Sequence, residues 1–224
     1  MLAASPAQAQ QVLVQGNVAN DTLPATFGPN RRYFLHLYAA GSLVAGPAET
    51  GAAVRYGLPS AEWQVGLRLK RRITQTLALN LDLRYAYLRY ALVQNGQKTL
   101  PDARQHDKET LGLHLLQLEP SLRLNAGRRG NIVGRYLDLL AWGGPVLGSR
   151  HVVEDEPAPG VSQVETIESG LPYVRRWAGG VGLRLGLDRY AFTARYRLSP
   201  SFTPAYAAWP ELPRGTVGLE IGLF

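Results

Sequence analysis

Between residues 76 and 90 the chain reads TLALNLDLRYAYLRY, and its large apolar residues fall on every second position. Leu77, Leu79, Leu81, Leu83, Tyr85 and Tyr87 alternate with Ala78, Asn80, Asp82, Arg84 and Ala86. A helix, at 3.6 residues per turn, would scatter those leucines around its circumference and bury Asp82 and Arg84 among them. A strand, with period two, collects the leucines and tyrosines on one face and the polar set on the other. The pattern predicts a strand, despite the helix propensity of leucine.

The same alternation recurs at regular spacing. RYFLHLYAAGSLV (32–44) is the first predicted strand and AEWQVGLRLK (61–70) the second, with Trp63, Val65, Leu67 and Leu69 against Glu62, Gln64, Arg68 and Lys70. The third is the stretch just described. LLQLEPSLRLN (115–125) sets Leu116, Leu118, Leu122 and Leu124 against Gln117, Glu119, Ser121 and Arg123. VGRYLDLLAWGGPVLG (133–148) is less clean, with Asp138 as its polar marker. WAGGVGLRLGLDR (177–189), YAFTARYRLS (190–199) and TVGLEIGLF (216–224) complete a set of about eight, each near the ~9–11 residues that cross a bilayer at a tilt.

The connections alternate in length. RRITQ, AGRRGN and DR are short, whereas residues 45–60, 93–109, 154–173 and 202–215 form four long joins. Ordinary compact domains rarely hold four structureless loops of this size. Short turns at one end and long loops at the other are the plan of an outer-membrane barrel, periplasmic below and extracellular above. In hydrocarbon every backbone group must be bonded internally, so the sheet must close and its outer face must be apolar.

The prediction is therefore an all-β protein: a single antiparallel up-and-down transmembrane β-barrel of about eight strands, or ten if residues 11–30 pair. Residues 1–10 read as a signal-peptide remnant, 11–30 as an N-terminal extension and 31–224 as the barrel. MLAASPAQAQ contains the cleavage pattern Ala7-Gln8-Ala9, with Gln10 starting the mature chain. Leu79, Leu81, Leu83, Tyr85, Leu183, Leu185, Leu219 and Ile221 are expected to face lipid. Trp63, Tyr87, Trp177, Tyr190 and Tyr196 lie near strand ends, where aromatic girdles belong.

Composition narrows the function. The chain has 224 residues, 24 glycines, 15 prolines and no cysteine, so disulfides and thiolate metal sites are excluded. Mean hydropathy is −0.12 and no stretch approaches a membrane-spanning helix. The net charge of +7 raises the question of nucleic acid. The arginines, however, are mostly single residues at alternating strand positions, and LKRRI (69–73) and GRR (127–129) read as tight turns. Outer-membrane lipid and the phosphates of lipopolysaccharide are the expected partners, and nucleic acid is not.

At this point the chain resembles the small OmpA/OmpX-type outer-membrane barrels, in its short turns, long opposite loops, about eight amphipathic strands and terminal Phe224. The AQAQ start and the long acidic third loop are similar to barrels of Bacteroidetes-type bacteria. The resemblance covers roughly residues 31–224. It implies a monomeric integral protein of the bacterial outer membrane, with a structural, adhesive or partner-binding role carried by its long loops.

The inward faces collect Glu62, Arg68, Asp82, Arg84, Glu119, Arg123, Asp138, Arg184, Arg195, Arg197 and Glu220. An eight-stranded barrel is only wide enough inside for side chains, and isolated buried ions are very costly, so these groups must pair. A static salt-bridged plug and a narrow gated pore both satisfy that requirement, and the sequence leaves both open. Ser149, His151 and Glu154 in GSRHVVEDE are chemically suited to acyl transfer. Ser-x-His is nonetheless common by chance and the lipid-modifying motifs are absent, so no enzyme is expected. The four histidines (His36, His106, His114 and His151) lack metal spacing, and the alternating glycines of GGVGLRLG (179–186) read as small inward residues rather than a phosphate loop. No cofactor is expected. The rival from another class is a soluble lipocalin-like barrel carrying an apolar ligand, with its leucines inside and its charges in water.

Overall fold

In the computed structural model, described for residues 26–127, 130–156 and 164–224, alternation has become an antiparallel sheet closed on itself. The strands are β1 (Tyr33–Ala45), β2 (Ala61–Arg72), β3 (Leu77–Ala91), β4 (Lys108–Ala126), β5 (Arg135–Asp155), β6 (Val164–Ser169), β7 (Trp177–Leu187), β8 (Tyr190–Arg197) and β9 (Gly215–Leu223). Eight of them form the ring, in the order β4-β3-β2-β1-β9-β8-β7-β5, and a β4–β5 pairing closes it. β1 and β9 are neighbours, so both ends of the barrel segment are sealed into the sheet. Closure removes every free edge from the ring, and with it the cost of unpaired backbone groups. Among the described residues the helical content is one 3-10 turn at Pro204–Tyr206.

Two expectations about the ends are corrected. LKRRI is not a tight turn: β2 runs on to Arg72, Lys70 is buried inside, and the turn falls on residues 73–76. Residues 154–173 are not a structureless join either, because they contain β6, which pairs with Arg150–Asp155 of β5. β4 and β5 are correspondingly longer than the alternation suggests, extending past the ring at the long-loop end. The lower part of β5, from Arg135 to Pro145, pairs with β7, and its upper part pairs with β6. A bulge separates the two, where the register passes from Leu115↔Val146 to His114↔Gly148 and leaves Leu147 over. The extra residue flips the parity, so that Ser149 and His151 point inward after Trp142 and Gly144 have done so below. The predicted signal-peptide remnant lies outside the described residues, as do residues 11–25 of the predicted N-terminal extension. Residues 26–30 contribute a single bridge, Phe27↔Tyr33.

The glycines of β7 meet the largest residues of β5. Gly180, Gly182 and Gly186 are the Cα partners of Trp142, Leu140 and Tyr136. A Cβ on Gly186 would lie 2.0 Å from the Tyr136 ring, and one on Gly182 would lie 3.0 Å from Leu140 Cδ1. Small residues on one strand thus make room for bulky ones on the next, and Arg184 is the one large inward side chain left between them. At the β7–β8 turn Asp188 adopts φ 51°, a conformation that aspartate tolerates better than most residues. It is held there by Gly134 N–H, which donates to its carboxylate at 2.8 Å.

Gly186→Val should therefore destabilise the barrel by about 1–3 kcal/mol through overpacking. Urea unfolding in detergent should show that loss, and Tyr136→Ala in the same chain should recover part of it. Additive losses in the double variant would contradict the packing described.

Candidate functional site: the lumen and the loop cap

The lumen is filled by charge. Strand register sets Arg68 opposite Asp82, Arg123 opposite Asp138, and Asp138 opposite Arg184. Arg68 donates to both oxygens of Asp82 at 2.8–3.0 Å and to Glu220 at 2.6 and 2.9 Å. Arg123 makes a two-pronged pair with Asp138 at 2.7 and 2.8 Å, and its guanidinium lies 3.5 Å from the centre of the Tyr136 ring. Asp82 and Glu119 also face each other directly, a like-charge pair that would be destabilising alone.

Arg184 resolves that repulsion from across the barrel. Its guanidinium donates to Asp138 at 2.8 Å, to Asp82 at 3.2 Å and to Glu119 at 2.5 Å, and its Nε lies 3.1 Å from Glu220. Four carboxylates from four strands thus converge on one cation, and all five groups are at most 4% exposed. Arg195 donates to the second oxygen of Glu119. The fork of a guanidinium, with five donors in a fixed plane, suits such bridging as a lysine would not.

The remaining charged positions lie higher, toward the long loops. Arg84 donates to Gln64 at 2.7 Å and to Gln117, while its nearest carboxylates, Glu62 and Glu119, are each 3.9 Å away. Glu62 therefore stands apart from the central cluster. Arg197 bonds Glu211 of the β8–β9 loop at 3.1 Å rather than a lumen carboxylate, and ties that loop to the barrel. The polar partners that charge alone does not reveal are Gln64, Gln117, Tyr38, Tyr136 and Trp142. All but Trp142 are buried, and all share the parity of the charged set, which is the signal that could have found them.

Above these residues the four long connections close the mouth. Ala52 and Val54 from the first, Leu100 from the second, Leu171 and Val174 from the third, and Phe202 and Leu212 from the fourth form one buried cluster with Tyr90 and Leu111. Tyr173, Tyr206 and Trp209 pack on it, with ring centres 4.7–6.0 Å apart. Connections without strand alternation have folded into a lid. A narrow channel through the described lumen would have to pass both this lid and the ion cluster.

Ser149, His151 and Glu154 do not assemble. The Ser149 hydroxyl accepts from Leu171 N–H at 2.9 Å, His151 Nε2 bonds Glu109 at 2.8 Å, and Glu154 pairs with Lys108 on the outside. Glu109 is the centre of a second buried node, also contacted by Lys98 at 2.5 Å and Gln94 at 2.7 Å. Burial pushes its carboxyl up, but the hydrogen bonds from His151, Lys98 and Gln94 outweigh burial and hold it below its ordinary 4.5. Among the described residues no group of histidines and carboxylates could hold a metal ion.

The outer surface is the complement of the lumen. Leu79, Leu81, Leu83, Tyr85, Leu183, Leu185, Leu219 and Ile221 are all exposed on the outside of the ring. Trp63, Trp177 and Tyr196 are exposed toward the long-loop end and Tyr190 at the short-turn end, while Tyr87 is half-buried against the His114 ring. Phe224 packs on Phe34 and His36 at the short-turn end of the lumen.

Comparison with known proteins adds little. No protein-family model matches the chain, and no curated protein does. Among solved structures, Ail, the attachment invasion locus protein of Yersinia pestis, in complex with the heparin analogue sucrose octasulfate, aligns over 85% of this chain and 94% of that chain, at 10% identity and a TM-score of 0.31.

Two outcomes test the electrostatics. Arg184→Met leaves four buried carboxylates short of a cation and should cost about 3–5 kcal/mol in urea unfolding; a near-neutral change would contradict its central place. The Glu109 node has the sign of a depressed carboxyl, so its stabilisation is present above about pH 4.5 and lost as pH falls through the lowered value. Protection of the amides at the outer ends of β4 and β5, taken relative to their intrinsic exchange rates, should fall on acidification through that range, and Glu109→Gln should remove that fall.

Proposed function

We propose that this protein is an integral outer-membrane β-barrel that presents a loop-built binding surface to the cell exterior and performs no enzymatic turnover. One observation carries the reading: the closed ring is apolar outside and ionic inside, the inverse of a protein that lives in water. A lipocalin-like barrel requires the leucines to line a cavity, and here they are exposed while arginines and carboxylates fill the interior. Large contiguous apolar surface on a monomer marks a place where something other than water sits.

The dimensions suit a bilayer. From Leu77 to Tyr87, at ~3.3 Å per residue and a tilt of ~40°, the apolar face of β3 spans roughly 25 Å of height, the band of a bacterial outer-membrane barrel. In this placement Leu79, Leu81, Leu83, Leu183 and Leu185 contact acyl chains, and Trp63, Tyr87, Trp177 and Tyr196 sit at the outer headgroup level. Tyr190 takes the inner one. Lipid and lipopolysaccharide are then the surrounding partners, and no nucleic acid is involved. The short turns face the periplasm and the lid faces outward. Loops held by a rigid scaffold are where recognition usually resides, and the packed lid gives this barrel a preformed face of Tyr206, Trp209 and the projecting β5–β6 hairpin for an extracellular or envelope partner.

Expressed with an export signal in a Gram-negative host, the protein should fractionate with outer membranes. Its unboiled form should migrate differently from its boiled form in detergent gels. Recovery in the soluble periplasmic fraction without such a shift would overturn the membrane placement and favour the carrier reading.

A further inference from the structure

Between the ion cluster and the lid lies a cavity of about 40 Å³, walled on one side by Leu88, Leu113, Leu115 and Val146 and on the other by arginines. A single water needs roughly 10–15 Å³ by this measure, so the space holds a few waters or one small polyatomic ion. Its polar wall is unbalanced. Arg84, Arg175, Arg195, Arg197 and Arg214 line it against one carboxylate, Glu62. Glu119 and Glu211 lie within ion-pair distance of four of these arginines from beyond the wall, which still leaves five cations against three anions.

The donors are also in surplus. Nε of Arg84, Nε and Nη1 of Arg195, and the indole Nε1 of Trp142 are buried without a hydrogen-bond partner among the described residues. Arg84 and Arg195 are 1% and 5% exposed, so bulk water does not serve them. Charged donors left unsatisfied in such a place are costly. The central cluster below shows what the same residue type does when carboxylates are at hand: Arg68 and Arg123 use their forks on both oxygens of a partner.

We propose that this cavity is a binding site for one small oxyanion of the carboxylate or phosphate class, held by Arg84 and Arg195 and by the Trp142 indole. The fixed planes of two guanidiniums suit a trigonal or tetrahedral oxyanion, and the indole donates a further hydrogen bond. The small volume limits the guest to one small group, and the five lining arginines exclude a cation. Entry is from the long-loop end, where exposed Arg175 and half-buried Arg214 mark an electropositive approach between the third and fourth connections.

The test uses the full folded chain in detergent, with nitrogen-labelled tryptophan and arginine, titrated with inorganic phosphate and separately with acetate at constant ionic strength set by chloride. The Trp142 indole resonance, assigned by Trp142→Phe, and the Nε–H resonances of Arg84 and Arg195 should move saturably, while the indoles of Trp63 and Trp209 stay in place. Arg195→Gln and Arg84→Gln, each checked for the folded gel mobility, should weaken the apparent affinity at least tenfold. Response to phosphate alone or to acetate alone identifies the class of guest. No change beyond the chloride control means that the chamber holds water only and overturns the proposal. A saturable change that survives in whichever variants fold means that the ion binds elsewhere, and overturns it equally. Should neither variant fold, the wild-type titration at Trp142 decides the matter by itself.

Discussion

Arg184 binds or contacts Asp82, Glu119, Asp138 and Glu220, which come from β3, β4, β5 and β9, while Arg184 itself stands on β7. Taking five ions out of water is expensive, and only dense pairing with good geometry offsets the cost. That condition restrains everything around it. The strands must keep a register that brings Arg68 to Asp82 and Arg123 to Asp138, because a slip of one residue would turn the whole charged set outward. β7 must present glycines on either side of Arg184, since Tyr136, Leu140 and Trp142 occupy the space their side chains would take. With the interior given over to ions, the leucines have nowhere to go but outside. An apolar exterior in turn requires a solvent other than water, which is the root of the membrane proposal.

The fold was legible because a strand has an integral period: a side chain's face follows from counting, and the eight ring strands were found by alternation alone. Parity likewise put Asp82, Arg84, Glu119, Arg123, Asp138, Arg184 and Glu220 on one side of the wall. It could not say which residues meet across the lumen. The contacts of Arg184 with Glu119 and Glu220 depend on how far each strand is sheared around the ring, and no local pattern encodes that. β6 escaped because every residue of VETIES is exposed, so it carries no alternation to read. The outer part of β5 escaped because Leu147 bulges and reverses the parity. Arg71 and Arg72 resembled a turn because consecutive charges usually are one; here they continue β2. Glu62 lies nearest Arg84 of β3, 3.9 Å away in the upper lumen, whereas Arg197 bonds Glu211, which belongs to the β8–β9 loop.

The four long connections are best understood as a second layer of structure. Leu100, Leu171, Phe202 and Leu212 are as well buried as residues of an ordinary core, yet they come from three separate loops. Backbone bridges join Val54 to Leu92 and Val174 to Phe202 beneath them. Ordering so many loop residues costs conformational entropy, and the apolar cluster offsets that cost while the Glu109 and Glu211 nodes satisfy the buried polar groups. A lid built in this way is a shaped surface rather than a fringe of mobile chain, and that property favours recognition over passive anchoring as its use.

The central claim is the inversion of faces, and lipid contact at single positions tests it most directly. The natural chain has no cysteine, so one thiol can be introduced at a time and labelled with a fluorophore. With the folded barrel in bilayers whose acyl chains carry bromine, labels at Leu81 and Leu183 should be strongly quenched. Labels at Glu49 and Asp102 in the long loops should not. Unquenched labels at Leu81 and Leu183 in a folded barrel would contradict the account, because those leucines would then lie against something other than lipid.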